Sequence, residues 1–248
     1  MLYLSRPDIE RISDEIIAAY KTAYVPEQRL CYQVDTMKLA QLLGLTVDFQ
    51  SLSPDCSILG MTAPIEACIT IFDDNGEPMM YCLDGDTILI EKKLLHPKAI
   101  GRMNFTLAHE MAHQVLYRKY PDSYGPQQRI ICDYRRSEKP QWQVSDWFEW
   151  QADVLAAAML LPKDAILDTM YIFGLGERMK VLSKRYSPNR YESFCAMAEA
   201  MQVSRTALAY RMEQLGLLER NLLVQEARLG KERHNGRNER YNQGCSAV

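Results

Sequence analysis

The sequence predicts an α+β fold, mainly helical, with a small, mostly antiparallel sheet and a helical pair near the C-terminus. Three observations predict it. Apolar residues recur at helical spacing near both ends; residues 45–91 break into short β-rich runs; and two strongly apolar stretches follow, long enough for buried helices. The 248 residues are 47% hydrophobic and 25% charged, which excludes a globally disordered or fibrous chain. A net charge of −3 excludes a basic nucleic-acid coat over the whole chain. No apolar run approaches a membrane span. Arg6, Asp8, Glu10 and Arg11 leave no apolar stretch for a secretory signal, so a cytoplasmic location and no membrane partner are expected.

The elements follow in order. Residues 8–23 carry Ile9, Ile12, Ile16 and Ile17 with charges between them, the pattern of an amphipathic helix. Residues 35–44 form a short helix, with Asp35 as cap, Leu39, Leu42 and Leu43 as the apolar face and Gly44 as stop. β-rich runs cover 45–49, 67–72, 78–83 and 87–91, separated by the turn sequences Asp73-Asp74-Asn75-Gly76 and Asp84-Gly85-Asp86. A helix ending near Tyr117 is apolar almost all round and is expected to be buried. Residues 118–143 are polar, contain Pro121, Gly125, Pro126 and Pro140, and read as a long loop. A second buried helix runs from about Asp146 to Leu161 and stops at Pro162; residues 163–186 continue as helix with a break near Gly174 and Gly176. Residues 231–248 are polar and are expected to be disordered.

Seven cysteines, with no pair in CxxC spacing, read as reduced thiols rather than a disulfide scaffold. Cys132 is the one nearest in sequence to the chemistry below.

That chemistry begins at His109-Glu110-Met111-Ala112-His113. Histidines four apart on a helix project from one face, one turn above the other, and both imidazoles reach a single tetrahedral ion. The adjacent glutamate does not easily join them; it reaches a water on the ion and serves as general base. Zn2+ is the preferred ion, with manganese or iron as alternatives. A third ligand is required, leaving one position for water. Downstream, Glu149 and Asp153 share a face where the second apolar helix begins, and carboxylates entering a buried helix need partners. Glu149 is assigned as third ligand, and Asp153 as acceptor for the outer nitrogen of a liganding histidine. The rival, Glu138, sits in the polar stretch beside Lys139 and Pro140. No oxyanion donor stands out among His96, Tyr117, Tyr124, Tyr134 and Arg135.

Near the C-terminus, Phe194, Met197, Ala198 and Met201 make an apolar face; Val203-Ser204 is a turn; Leu208, Met212 and Leu215 follow, and Gly216 terminates. This reads as a helix-turn-helix. Its second helix offers Arg205 and Arg211 but also Glu213, so packing or partner recognition is expected, with DNA contact as the alternative.

The blocks Phe105-Thr106-Leu107-Ala108-His109-Glu110-Met111-Ala112-His113, Glu149-Trp150-Gln151-Ala152-Asp153 and Ala156-Ala157-Ala158-Met159-Leu160-Leu161-Pro162 together resemble the ImmA/IrrE metallopeptidase family, over roughly residues 8–220. The resemblance implies a gluzincin-like site: His109, His113 and Glu149 on zinc and Glu110 as the catalytic carboxylate. It implies a cytoplasmic endopeptidase whose protein substrate is a helix-turn-helix repressor. Residues 1–188 are then the metallopeptidase domain, 189–228 a helix-turn-helix-like segment packed on it, and 229–248 the tail. The competing expectation is a DNA-binding or repressor-sequestering regulator with a structural or sensory metal site. An extended substrate is expected to add to the sheet edge that precedes the metal helix.

Overall fold

Ser5 starts the first helix, α1 (Arg6–Tyr24): its hydroxyl accepts from Asp8 N while Asp8 accepts from Ser5 N, and Pro7 stands in the first turn, where no N–H is needed. Ile9, Ile12, Ile17 and Tyr20 are the buried stripe. Asp35 caps α2 (Thr36–Leu42) by accepting from Met37 N and Lys38 N. Gly44 closes it with a positive φ of 68°. The chain is seen in a computed structural model that describes residues 3–26, 29, 31–124, 130–133 and 144–223.

The fold is α+β as expected, but the β block forms separate small sheets, mostly antiparallel with a parallel pair, rather than a single mostly antiparallel sheet. Its strands are β1 (Thr46–Gln50), β2 (Ile58–Thr62), β3 (Glu66–Phe72), β4 (Pro78–Asp84) and β5 (Thr87–Glu91). With β6 (Ile130–Asp133) they form a four-stranded sheet of order β1-β5-β2-β6 and a separate β3–β4 hairpin. The β1–β5 pair is parallel, Thr46 against Thr87, because the long connection through β2 and the hairpin lets the chain return in the same direction. Turn chemistry foretold the hairpin, closed at Gly76 with φ 83°. It gave no signal for β2, whose central glycine weakens the strand pattern, or for β6, which lies within the stretch read as loop. Since β2 is paired on both sides, β6 and not β2 is the sheet edge on that flank. β5 is buried throughout.

Within the hairpin, Cys68 stands directly opposite Cys82, and the two are joined as a disulfide. This corrects the expectation of reduced thiols for that pair: the register brings the residues to a Cα separation of 4.1 Å. Cys31, Cys56 and Cys195 are free.

The helical layer is built on α3 (Ile100–Lys119). The short α4 (Pro121–Tyr124) follows it, and α5 (Val144–Leu160) packs along it and against α1. α6 (Lys163–Ile172) stops at the positive-φ residue Gly174. Beyond Gly176 the expected helix is replaced by strand β7 (Met179–Leu182), paired in parallel with β8 (Leu218–Asn221). Between them lie α7 (Pro188–Ala200) and α8 (Arg205–Gln214), with Ser204 Oγ accepting from Ala207 N at the cap. The turn of this pair is seated on the first turn of α3. A Cβ on Gly101 would lie 2.8 Å from both Ser204 N and the Val203 carbonyl carbon. Arg211 is 2% exposed: its Nε donates to Leu161 O at 3.1 Å and its two terminal nitrogens donate to the Glu10 carboxylate. An arginine counted as a possible phosphate contact is thus spent inside the protein.

Among the described residues, no helix is long and apolar enough to cross a membrane. The proposed tail, residues 229–248, lies outside the described residues.

Candidate metal centre

α3 is buried on nearly every side, so its polar residues have little access to bulk water. His109, Glu110 and His113 are all buried. The four-residue spacing places the two imidazoles edge to face, with centroids 4.6 Å apart and Nε2 atoms 2.9 Å apart. α5 brings Glu149 to the same point. Its Oε2 lies 3.2 Å from His109 Nε2 and its Oε1 3.6 Å from His113 Nε2. The three residues offer ligand atoms that all lie within 4.8 Å of one another and could hold a metal ion.

The donor set fits a small divalent cation. Ligand atoms bonded at 2.0–2.1 Å to a tetrahedral zinc stand about 3.3–3.4 Å from each other. The observed separations of 2.9, 3.2 and 3.6 Å bracket that value. The electrostatics agree. Burial pushes the His113 imidazole below its ordinary pKa, outweighing the opposing pull of Glu149, so the ring is held neutral and keeps a lone pair for a metal. Burial raises the Glu149 carboxyl, but hydrogen bonds from His109 and His113, whose Nε2 atoms carry the shared protons while no ion is bound, hold it well below the carboxylate range; a metal ion would take the place of those protons.

One turn further along α5, Asp153 Oδ1 lies 3.0 Å from His109 Nδ1. With an ion bound, a carboxylate there would accept the Nδ1 proton and leave the Nε2 lone pair for the metal. His113 is held differently: its Nδ1 is buried and has no hydrogen-bond partner among the described residues, so packing and the contacts of its Nε2 with His109 and Glu149 orient that ring.

Glu110 is fully buried and turned toward the sheet, where it meets β2 at Gly60. Gly60 and Gln114 are absent from the residues singled out by sequence. Gln114 Nε2 donates to Thr62 Oγ1 at 2.6 Å, Ala63 O at 3.0 Å and Gly85 O at 3.1 Å, tying the metal helix to the sheet. A glycine inside a strand is the available signal for Gly60, since it marks a close approach of the backbone to something else. A lone glutamine in an apolar helix gives no such pointer.

His96 Nδ1 accepts from Lys98 N and caps a short 3-10 turn. Tyr117 is partly buried against the main core. Glu138, Tyr134 and Arg135 lie outside the described residues, as does the side chain of Tyr124. Compared with known proteins, the chain matches no family model and no curated protein.

Proposed function

We propose that this chain is a zinc-dependent endopeptidase that hydrolyses a peptide bond in a regulatory protein, by water activated at the His109–His113–Glu149 cluster. The observation that carries the reading is the convergence of two Nε2 atoms from one helix and a carboxylate from another, with Glu110 on the same helix. When bound, a zinc ion supplies Lewis acidity for a scissile carbonyl and lowers the pKa of a water ligand toward neutrality. The chain's own residues do the rest. His109 and His113 present neutral nitrogens. Asp153 holds the His109 tautomer. Glu110 takes the proton of the attacking water and returns it to the leaving amine nitrogen, a transfer that needs a carboxylate shielded from bulk solvent. The site is open on the Glu149 side, whose carboxyl is 42% exposed, and an extended polypeptide enters there.

For the substrate we propose a helix-turn-helix repressor, cut in an exposed segment. The burial of Arg211 and the seating of the α7–α8 turn on α3 support a packing role for the C-terminal helical pair over direct DNA contact.

The test is digestion of a purified helix-turn-helix repressor, chosen from the genes flanking this one, with and without chelator, read by mass spectrometry. Fragments are expected with zinc alone. Glu110→Gln should retain one zinc per chain and lose cleavage by about 10³-fold or more. His113→Ala should lose the zinc itself, by elemental analysis. A repressor left intact in a stable complex with the wild-type chain would replace hydrolysis by sequestration.

A further inference from the structure

Gly60 occupies the middle of β2, and its conformation does not require glycine: its φ lies outside the left-handed region in which Gly44, Gly76 and Gly85 sit. Space requires it. A Cβ built on Gly60 would stand 2.6 Å from Thr106 Cγ2, 2.8 Å from Glu110 Oε1 and 3.0 Å from Glu110 Cγ. No ordinary side chain fits there without something moving.

Which atom would move follows from how each is held. β2 is paired on both sides, Gly60 against Ile90 of β5 and against residue 132 of β6, with an irregularity in the β6 register between Ile58 and Gly60, so a retreat of the strand would strain two ladders of hydrogen bonds. Thr106 is fully buried and β-branched, with few rotamers open to it in a helix. Glu110 sits at the end of a longer, unbranched side chain. A methyl group added at Gly60 therefore displaces the Glu110 carboxylate more readily than the helix or the sheet. The penalty falls on the position of one proton acceptor.

We infer that Gly60 is a positioning residue, whose missing side chain is the space in which the Glu110 carboxylate is held for proton transfer. Thr106 is the opposite wall of that space. The inference rests on the reading of Glu110 as proton acceptor, and its test needs no protein substrate.

Cobalt(II) is loaded in place of zinc, and acetohydroxamate is titrated in while the visible absorption of the metal is followed. A metal-chelated hydroxamate keeps a hydroxyl-derived oxygen within reach of a carboxylate in this position, so its affinity reports where Glu110 stands. Losing a charge-assisted hydrogen bond corresponds to a weakening of about ten- to a hundredfold, the range expected for Glu110→Gln. Gly60→Ala should weaken binding by about five- to tenfold while the cobalt stoichiometry stays at one. Thr106→Ile adds bulk to the same space from the helix side and leaves the strand untouched; it should reproduce the defect even if the Gly60 variant folds poorly. In the cleavage assay Gly60→Ala should lower kcat and spare KM.

Two outcomes overturn the inference: wild-type hydroxamate affinity in both Gly60→Ala and Thr106→Ile, or a loss that merely follows a loss of cobalt. If Glu110→Gln itself leaves the affinity unchanged, the reading of Glu110 fails and the role of Gly60 falls with it. That result is separable from the first two because it appears in a variant with β2 intact.

Discussion

At the residue scale, the two imidazoles of the cluster are not equivalent. His109 has an orienting carboxylate at 3.0 Å, whereas His113 Nδ1 has no partner among the described residues. Asp153 thus helps to set the tautomer and tilt of His109, and partners of this kind are worth about 10- to 100-fold in metal affinity. Asp153→Asn keeps an acceptor oxygen but removes the charge, so zinc affinity should fall by about tenfold; Asp153→Ala should approach the upper figure. Competition against a chromophoric chelator measures both. Unchanged affinity in Asp153→Ala would show that the carboxylate neighbours the ring without orienting it. These residues were legible in the sequence for a local reason. A four-residue spacing on a helix determines a shared face without knowledge of the fold, and the Glu149/Asp153 pair repeats that spacing at the head of an apolar helix. Gly60 was not legible, because its meaning lies in what stands opposite it.

At the element scale, helices with caps and regular apolar spacing could be read from the chain, and strand partnership only where a tight turn joins neighbours, as in the β3–β4 hairpin. α1, α2, α7 and α8 carry their own start signals in Ser5, Asp35, Ser187-Pro188 and Ser204. The parallel pairings β1–β5 and β7–β8 join strands with whole elements between them, and nothing local encodes them. The same long-range logic places α8. Arg211 joins it to α1 through Glu10 and to the end of α5 through Leu161 O, residues far away in sequence. Removing one partner of a buried ion pair costs about 3–5 kcal/mol, and the lower figure applies because Glu10 remains a third exposed. Arg211→Ala should therefore destabilise the chain by about 3 kcal/mol in urea unfolding. A loss under about 1 kcal/mol would mean that α8 is not anchored by this contact and would reopen a surface role for it.

At the scale of the whole molecule, the cluster joins the two halves of the helical layer. α3 contributes both histidines and α5 both carboxylates, so a bound ion is a cross-link that exists only in the folded chain. Zinc at a hundredfold excess over its Kd adds about 2.7 kcal/mol. For a chain of this size that is a rise in Tm of about 5–10 °C over the chelator-treated protein. The pH dependence has a definite sign. The folded-state pKa of His113 is depressed below its ordinary 6.5, so the stability it contributes is fully present above 6.5 and is lost as pH falls toward the folded value. Below 6.5 the unfolded chain takes up the proton first, and the Tm of the metal-free protein should decline. The folded site still presents a neutral His113 in that interval, so the zinc-induced rise should persist below pH 6.5 and vanish only on further acidification. Differential scanning calorimetry with zinc and with chelator, stepped downward from pH 7.5, tests both halves. If the zinc-induced rise were already half lost at pH 6.5, His113 would be titrating as an exposed imidazole, and burial would not be what keeps it ready for a metal.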